Sequence, residues 1–267
     1  MNKIDKTAKI SNDLVIGDGN QIGSNVIIKE GCVIGNNNII LDNAIIGPYV
    51  KIGDNNEIGH YSYLGGDPQD HDYIKNSISF VEIGNNNIIR EYVTIHRGTK
   101  ENSKTIIKDN NFLMAYTHFG HNVIVGSNCT FTNLVQLAGY VEVEDNVVMG
   151  GISGAHQFCK IGAYSMIGAK AYINKDILPY SLVFGIPAQV IGINFIGLRR
   201  AGFTAEDREA IKTIFHIIYN SGLGFSKAIE KISNECKDDK FAQKILDFIK
   251  KSNRGLASFG YNKSENG

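Results

Sequence analysis

Residues 34–47 read IGNNNIILDNAIIG. Isoleucine recurs at Ile34, Ile40 and Ile46, six residues apart, with glycine directly behind it at Gly35 and Gly47. Working outward, the same phase runs from Ile10 through Ile16, Ile22 and Ile28 to Ile58 and Leu64. It is broken once, resumes at Ile83, Ile89 and Ile95, and passes a polar segment. It then continues from Ile107 through Phe119, Val125, Leu137 and Ala155 to Ile173. A period of six is neither the 3.6 of a helix nor the simple alternation of a half-buried strand. It suits short extended steps joined by corners, each step sending one large apolar side chain inward, which is the signature of a solenoid. Three steps close one triangular turn. Residues eighteen apart then stack in successive coils about 4.8 Å apart. Phe119, Leu137, Ala155 and Ile173 are predicted to form one such inner column.

Composition agrees. The chain has 267 residues, with 29 glycines against 4 prolines. Corners need tight or left-handed backbone, which glycine adopts freely and asparagine tolerates; GNNNI recurs at 35–39 and 84–88. A sandwich of short strands would need alternation and hairpin turns, and the sequence offers neither. Two segments leave the rhythm, Gly66 to Glu82 (GDPQDHDYIKNSISFVE) and Gly98 to Thr105 (GTKENSKT). Long loops on a rigid frame are common places for function.

The rhythm ends near Ile191. A helix is predicted from Thr204, with Ile211, Ile214, Phe215 and Ile218 at helical spacing. A second helix is predicted from Ser226 and a third over Phe241 to Ile249. The expected organisation is mainly β, residues 1–192 as a β-helix and 193–267 as a small helical unit covering its end, with the tail GYNKSENG disordered.

Lysine plus arginine is 27 and aspartate plus glutamate is 27. This balance gives no reason to expect nucleic acid as a partner. No stretch is apolar enough for a membrane span, and the N-terminus lacks the apolar region of a signal peptide. Cys32, Cys129, Cys159 and Cys236 have no CxxC spacing and are expected to be reduced, in a cytoplasmic protein.

THFGHNVIVG at 117–126 places two histidines around the inward Phe119. His118 and His121 are therefore expected on the outer surface of the coil. Gln136 and Gly139 lie eighteen residues on, and His156 and Gln157 one coil further. Two chemistries fit. A histidine can act as general base in acyl transfer, with a backbone N–H at a glycine receiving the oxyanion. Alternatively, His96, His118 and His121 can bind zinc in a hydratase or lyase.

VTIHRGT at 93–99, THFGHNVIVG, GISGAHQFCKIGAYSMIG at 151–168 and INFIGLRRAGF at 193–203 together resemble the UDP-N-acetylglucosamine O-acyltransferases of lipid A biosynthesis. The resemblance covers nearly the whole chain. It implies a left-handed parallel β-helix forming a homotrimer with sites between subunits. It implies transfer of a 3-hydroxyacyl chain from acyl carrier protein to UDP-N-acetylglucosamine, with no cofactor and no metal. His121 then matches the general base and Gly139 the oxyanion glycine. Asp70, His118, His156, Gln157, Asn194 and Arg200 match substrate-binding positions, and Lys75 lies in the matching loop. Ala169 matches the position that limits acyl length, and its small size implies a long chain. Arg199, Arg200, Arg208 and Lys212 could form a basic patch for acyl carrier protein.

Four departures stand out. Tyr140 replaces a histidine, Asn122 replaces an aspartate beside the base, Ala201 replaces a basic residue, and the Lys75 loop holds an extra residue. Loss of a carboxylate beside His121 is expected to weaken the base. The alternative acceptor is a related nucleotide sugar such as the 3-amino analogue.

Overall fold

The computed structural model describes residues 1–260; the rest of the tail, residues 261–267, lies outside the described residues, and so does most of the expected disorder there. The described chain begins with short parallel strands, most of them two residues long, that fall into three sheets of eleven, nine and eight strands. Up to Tyr172–Ile173 each coil strand pairs with the one three steps later, so the chain winds as a triangular parallel β-helix. The predicted column forms: Phe119 pairs with Leu137, Leu137 with Ala155, and Ala155 with Ile173. Every member of that column is at most 3% exposed. Hydrogen bonds run from each coil to the next, so a two-residue strand is stable only because its neighbours are present.

The inner column passes both loops, with one register shift after Leu64, where Gly66 pairs with His96. Leu64 pairs with Ile95 and Ile95 with Phe119, so the stacking offset lengthens where the loops leave and the inner column continues. A buried asparagine ladder crosses the same coils. The Asn20 side-chain oxygen receives Asn38, Asn38 receives Asn56, Asn56 receives Asn87, and Asn87 receives Asn111, through backbone N–H groups at 2.8–2.9 Å. An amide can donate and accept in one direction along the axis, which satisfies corner backbone that no strand partner reaches.

The corner rule holds only in part. Asn25, Asn37 and Asn55 have positive φ as expected, but so do Tyr61, Tyr92, Tyr116, Leu134, Tyr140, Ile152 and Phe158. Stacking offsets the left-handed backbone at several of these. Tyr61, Tyr92 and Tyr116 form a ladder with centroids 5.3 and 4.8 Å apart and nearly parallel rings.

At the C-terminal end Ser181–Phe184 and Gln189–Ile193 form an antiparallel hairpin on the last coil. INFIGLRRAGF is partly helical: α1 spans Phe195–Arg200. The helix predicted from Thr204 is α2, Ala205–Tyr219, with a reciprocal capping box between Thr204 and Asp207. α3 is Phe225–Glu235 and α4 is Lys240–Lys251, the latter capped by Asp239. Leu198, Ile211, Ile214, Ile232 and Ile245 are buried, closing the end of the helix core. The chain then returns to the β-helix. Asp176, fully buried, accepts from Lys160 N–H, Ser252 Oγ–H and Arg254 N–H, and Val190 bridges to Phe259. Residues 252–260 are therefore part of the solenoid's closing layer as well as of the helical unit. Among the described residues no helix is long and apolar enough to cross a membrane.

Candidate active site

The outward positions of the nine-stranded sheet run Thr94, His118, Gln136, Gly154, Tyr172. Beside this column opens a cavity of about 400 Å³ whose lining includes Gln69, His96, His118, His121, Gly139 and Gln157. A second cavity of about 590 Å³ adjoins it and is lined by Asp70, Thr99, Lys100, Tyr140 and Gln157 among others.

His121 is not on the open surface, as the repeat alone suggested. It is 3% exposed, because the loop after Gly66 folds back across it. Asp70, on that loop, places Oδ2 3.3 Å from His121 Nε2. The carboxylate expected to be missing beside the histidine is thus supplied from a loop fifty residues away in sequence. The other ring nitrogen, Nδ1, lies 3.2 Å from Asn122 Oδ1. Gly139 packs directly under the ring. A Cβ at that position would lie 2.2 Å from His121 Cε1 and 2.4 Å from Nε2. Glycine is required there by close approach, not by φ. Its N–H donates to no acceptor among the described residues and sits beside the imidazole.

His118 Nδ1 bonds the Thr94 hydroxyl at 2.7 Å, and its ring meets His96 edge-on at 4.8 Å. Burial, then the nearby His121, holds the His118 imidazole below its ordinary range. Burial and the neighbouring histidines push His96 down to about 4. Both are therefore neutral near pH 7, able to donate or accept hydrogen bonds without placing positive charge beside His121.

The loop that carries Asp70 is held by Arg97. Its buried guanidinium donates to Asp67 Oδ1 at 2.7 and 3.2 Å, to the Ser77 carbonyl at 2.7 Å and to the Tyr73 hydroxyl. Arg97 was not singled out from sequence. Its signal was a single charge inside an apolar step of VTIHRGT, where a buried cation needs a partner.

Of the other sequence-predicted residues, Gln157 lines both cavities and Asp70 lines the second. His156 is exposed next to Gln157. Lys75, exposed on the outer part of the loop, does not line either cavity, nor does Ala169, exposed at a corner. Asn194 caps α1, accepting from Gly197 N–H at 3.1 Å and donating to the Tyr164 carbonyl at 2.8 Å. Arg200 and Ala201 are exposed at the end of that helix. Within one chain, neither is brought to His121. In the basic patch, Lys212 pairs with Glu209 at 3.2 Å, and Arg208 lies over the Phe195 ring and donates to the Phe203 carbonyl. Arg199 and Arg200 are exposed. His96, His118 and His121 do not converge as ligands. Among the described residues no group of three or more His, Cys, Asp or Glu side chains has metal-holding geometry. Cys32, Cys129 and Cys159 are buried free thiols, and Cys236 is half-buried.

Short parallel coils with one inward aliphatic residue in every six place the chain in the hexapeptide-repeat class. Residues 31–66 and 104–139 match the bacterial transferase hexapeptide family. Residues 176–257 match the family described as UDP-N-acetylglucosamine O-acyltransferase, domain 2. The acyl-[acyl-carrier-protein]–UDP-N-acetylglucosamine O-acyltransferase of Alkalilimnicola ehrlichii is 42% identical over 194 residues, 72% of this chain and 75% of that protein. The solved UDP-N-acetylglucosamine acyltransferase of Francisella novicida is 37% identical with a TM-score of 0.93, over 98% of this chain and 95% of that one. The Bacteroides fragilis enzyme is 39% identical with a TM-score of 0.91, over 95% and 99%. The chain belongs to the UDP-N-acetylglucosamine O-acyltransferase family, with its left-handed parallel β-helix.

Proposed function

We propose that this protein transfers a 3-hydroxyacyl chain from acyl carrier protein to the 3-position of UDP-N-acetylglucosamine, the first step of lipid A biosynthesis. The observation that carries this is the His121 ring, buried with Nδ1 against Asn122 Oδ1 and seated on Gly139, with Nε2 facing Asp70. In the free protein the Asp70 carboxylate occupies the place of the acceptor hydroxyl. Binding of the sugar draws Asp70 onto its hydroxyl groups and frees Nε2. His121 then takes the proton of the 3-hydroxyl as its oxygen attacks the thioester carbon. The carbonyl oxygen becomes an oxyanion that the Gly139 N–H receives. The C–S bond breaks, and the carrier thiolate leaves with the proton from His121. No step needs a cofactor beyond the carrier-borne thioester.

His118, His156 and Gln157 surround the sugar nucleotide in this scheme, and Lys75, Asn194 and Arg200 reach it from elsewhere. Residues 1–192 carry the chemistry, and 193–267 carry the helical unit and the basic face offered to acyl carrier protein. A homotrimer accounts for site residues that do not meet within one chain. The exposed ladder of Tyr61, Tyr92 and Tyr116, continued by Leu134 and Ile152, supports it as an apolar stripe that a neighbouring copy would cover. Both substrates place the reaction in the cytoplasm. Ala169, a small residue, leaves room for a long acyl chain.

The test is transfer by purified protein from 3-hydroxyacyl carrier proteins of several lengths to an equimolar mixture of UDP-N-acetylglucosamine and its 3-amino analogue, read by mass spectrometry. An ester product that vanishes with His121→Ala is expected. An amide product alone would reassign the acceptor, and no product from well-folded protein would overturn the proposal. Sedimentation of the same sample should give three times the chain mass.

A further inference from the structure

The two departures nearest the base, Asn122 and Tyr140, are joined in the structure by a third residue. Asn122 Oδ1 lies 3.1 Å from Thr99 N, 3.1 Å from Thr99 Oγ1 and 3.2 Å from His121 Nδ1. Thr99 Oγ1 lies 3.0 Å from the Tyr140 hydroxyl. The direction of every bond follows from one donor that cannot change. The Thr99 backbone N–H only donates, so the side-chain atom facing it must be the amide oxygen. An amide oxygen only accepts, so Thr99 Oγ1 spends its single proton on Asn122. Its remaining lone pair then accepts from Tyr140 O–H. The same amide oxygen requires a proton on His121 Nδ1.

We propose that Tyr140, Thr99 and Asn122 form an oriented chain that holds His121 in the Nδ1–H tautomer, leaving Nε2 as the basic atom. Asn122 touches the base, and Thr99 and Tyr140 are positioning residues acting through it. Tyr140 is held in turn by Phe158, stacked at 4.9 Å, and meets His121 edge-on at 5.2 Å. Asn122 itself is fixed at φ +60° and donates its N–H to Thr105 Oγ1 at 2.8 Å. An aspartate at 122 would orient the ring equally well but would add negative charge to the proton-bearing side. The amide therefore separates orientation from basicity. The charge on the ring is left to the movable Asp70, which meets the opposite nitrogen and departs with the sugar. The remaining titratable groups facing His121 are His96 and His118, both held neutral, and Tyr140; exposed Lys100 borders the cavity beside Asp70.

The proposal rests on His121 as the base, but its primary test needs no substrate. Asp70 Oδ2, 3.3 Å from Nε2, is a rival acceptor for the ring proton while the loop is closed, so nitrogen-15 NMR of the imidazoles, at alkaline pH in the folded protein with Asp70→Ala, reports which nitrogen the chain itself protonates. Asn122→Gly suits the left-handed corner and removes the amide; Asn122→Asp keeps the acceptor and adds charge. The expected result in that background is Nδ1–H with Asn122 and with Asn122→Asp, and loss of that preference with Asn122→Gly. In kinetics, Asn122→Gly should lower kcat by about 10–100-fold, the usual scale for losing an orienting partner, with KM little changed. Asn122→Asp should move the acid limb of the pH–rate profile to higher pH. Tyr140→Phe should lower kcat by a smaller factor, and should add nothing in the Asn122→Gly background. A ring protonated on Nε2 in the Asp70→Ala protein with Asn122 intact would overturn the proposal whatever the reaction proves to be. A Tyr140→Phe variant that raises KM at unchanged kcat, or whose loss adds fully to that of Asn122→Gly, would make Tyr140 a substrate contact and remove it from the chain. If acyl transfer fails while the tautomer result stands, the assigned reaction falls and the orienting chain does not.

Discussion

Gly139→Ala adds one methyl group at the closest contact in the site. Its Cβ would lie 2.2 Å from His121 Cε1, 2.4 Å from Nε2 and 2.9 Å from Nδ1. Carbon contacts settle near 3.5–4.0 Å, so the ring or the turn that carries residue 139 must retreat by roughly 1.5 Å. The ring is 3% exposed beneath the Asp70 loop, so the room open to it is the cavity that it lines, where the substrate must sit. Retreat stretches both the 3.2 Å contact to Asn122 and the 3.3 Å contact to Asp70 beyond bonding range. A misplacement on the order of 1 Å costs about 100-fold in rate, so kcat for acyl transfer should fall by about that factor or more. Overpacking of a filled site costs roughly 1–3 kcal/mol, which the parallel coils should absorb without unfolding. The assay is steady-state transfer together with thermal unfolding, on wild type and Gly139→Ala. A folded variant with kcat within a few-fold of wild type would refute the argument that the ring's seat on Gly139 sets the base.

Arg97→Met should free the loop after Gly66 by removing the donors to Asp67, Ser77 and Tyr73. We expect KM for the nucleotide sugar to rise by about tenfold, as a site residue on a loosened loop loses its preorganisation, and hydrogen exchange to quicken over residues 67–79; unchanged exchange would show that Arg97 is not the anchor. Asn56→Leu should leave the Gly84 carbonyl and both the backbone N–H and the side-chain amide of Asn87 unpaired in a corner where Asn56 is 1% exposed, while the Asn38 oxygen keeps the backbone N–H of residue 56. At about 1–3 kcal/mol for each buried group left unsatisfied, denaturant unfolding should report a loss of several kcal/mol. A near-neutral result would mean that water replaces the ladder. His96, held down to about 4 by burial, binds its proton less readily folded than unfolded. Its contribution is complete above the unfolded value near 6.5 and is lost as pH falls toward 4, at a cost of about 3 kcal/mol. His96→Leu should flatten the pH dependence of stability across that window; an unaltered slope would assign the acid sensitivity to other groups.

Much of this protein is legible because each coil is decided locally. One inward aliphatic residue per six, with asparagine or glycine where the backbone turns left-handed, leaves few other ways to bury the apolar set. The helical unit was readable for the same reason: Thr204 and Asp207 mark a helix start, and Phe241, Ile245 and Phe248 share one helix face. Where the local rule failed, at Tyr61 and Ile152 in left-handed corners, the compensation comes from neighbouring coils, which lie one full turn away in sequence.

The candidate site divides along the same line. The repeat placed His118, His121, Gly139 and Gln157 on one side of the solenoid, because positions eighteen apart stack wherever no loop intervenes. What the sequence by itself determined is therefore the frame and the histidines' outward direction. The tertiary structure alone decided the surroundings of His121. Asp70 lies on a segment outside the period that Arg97, at the end of a regular step, ties down, so no spacing predicts that one loop buries the base and supplies a carboxylate to it. The bonds among Asn122, Thr99 and Tyr140 likewise join residues 23 and 41 positions apart, across a loop whose length breaks the count. A period specifies where a side chain leaves the coil. What it meets there depends on chain that the period does not describe.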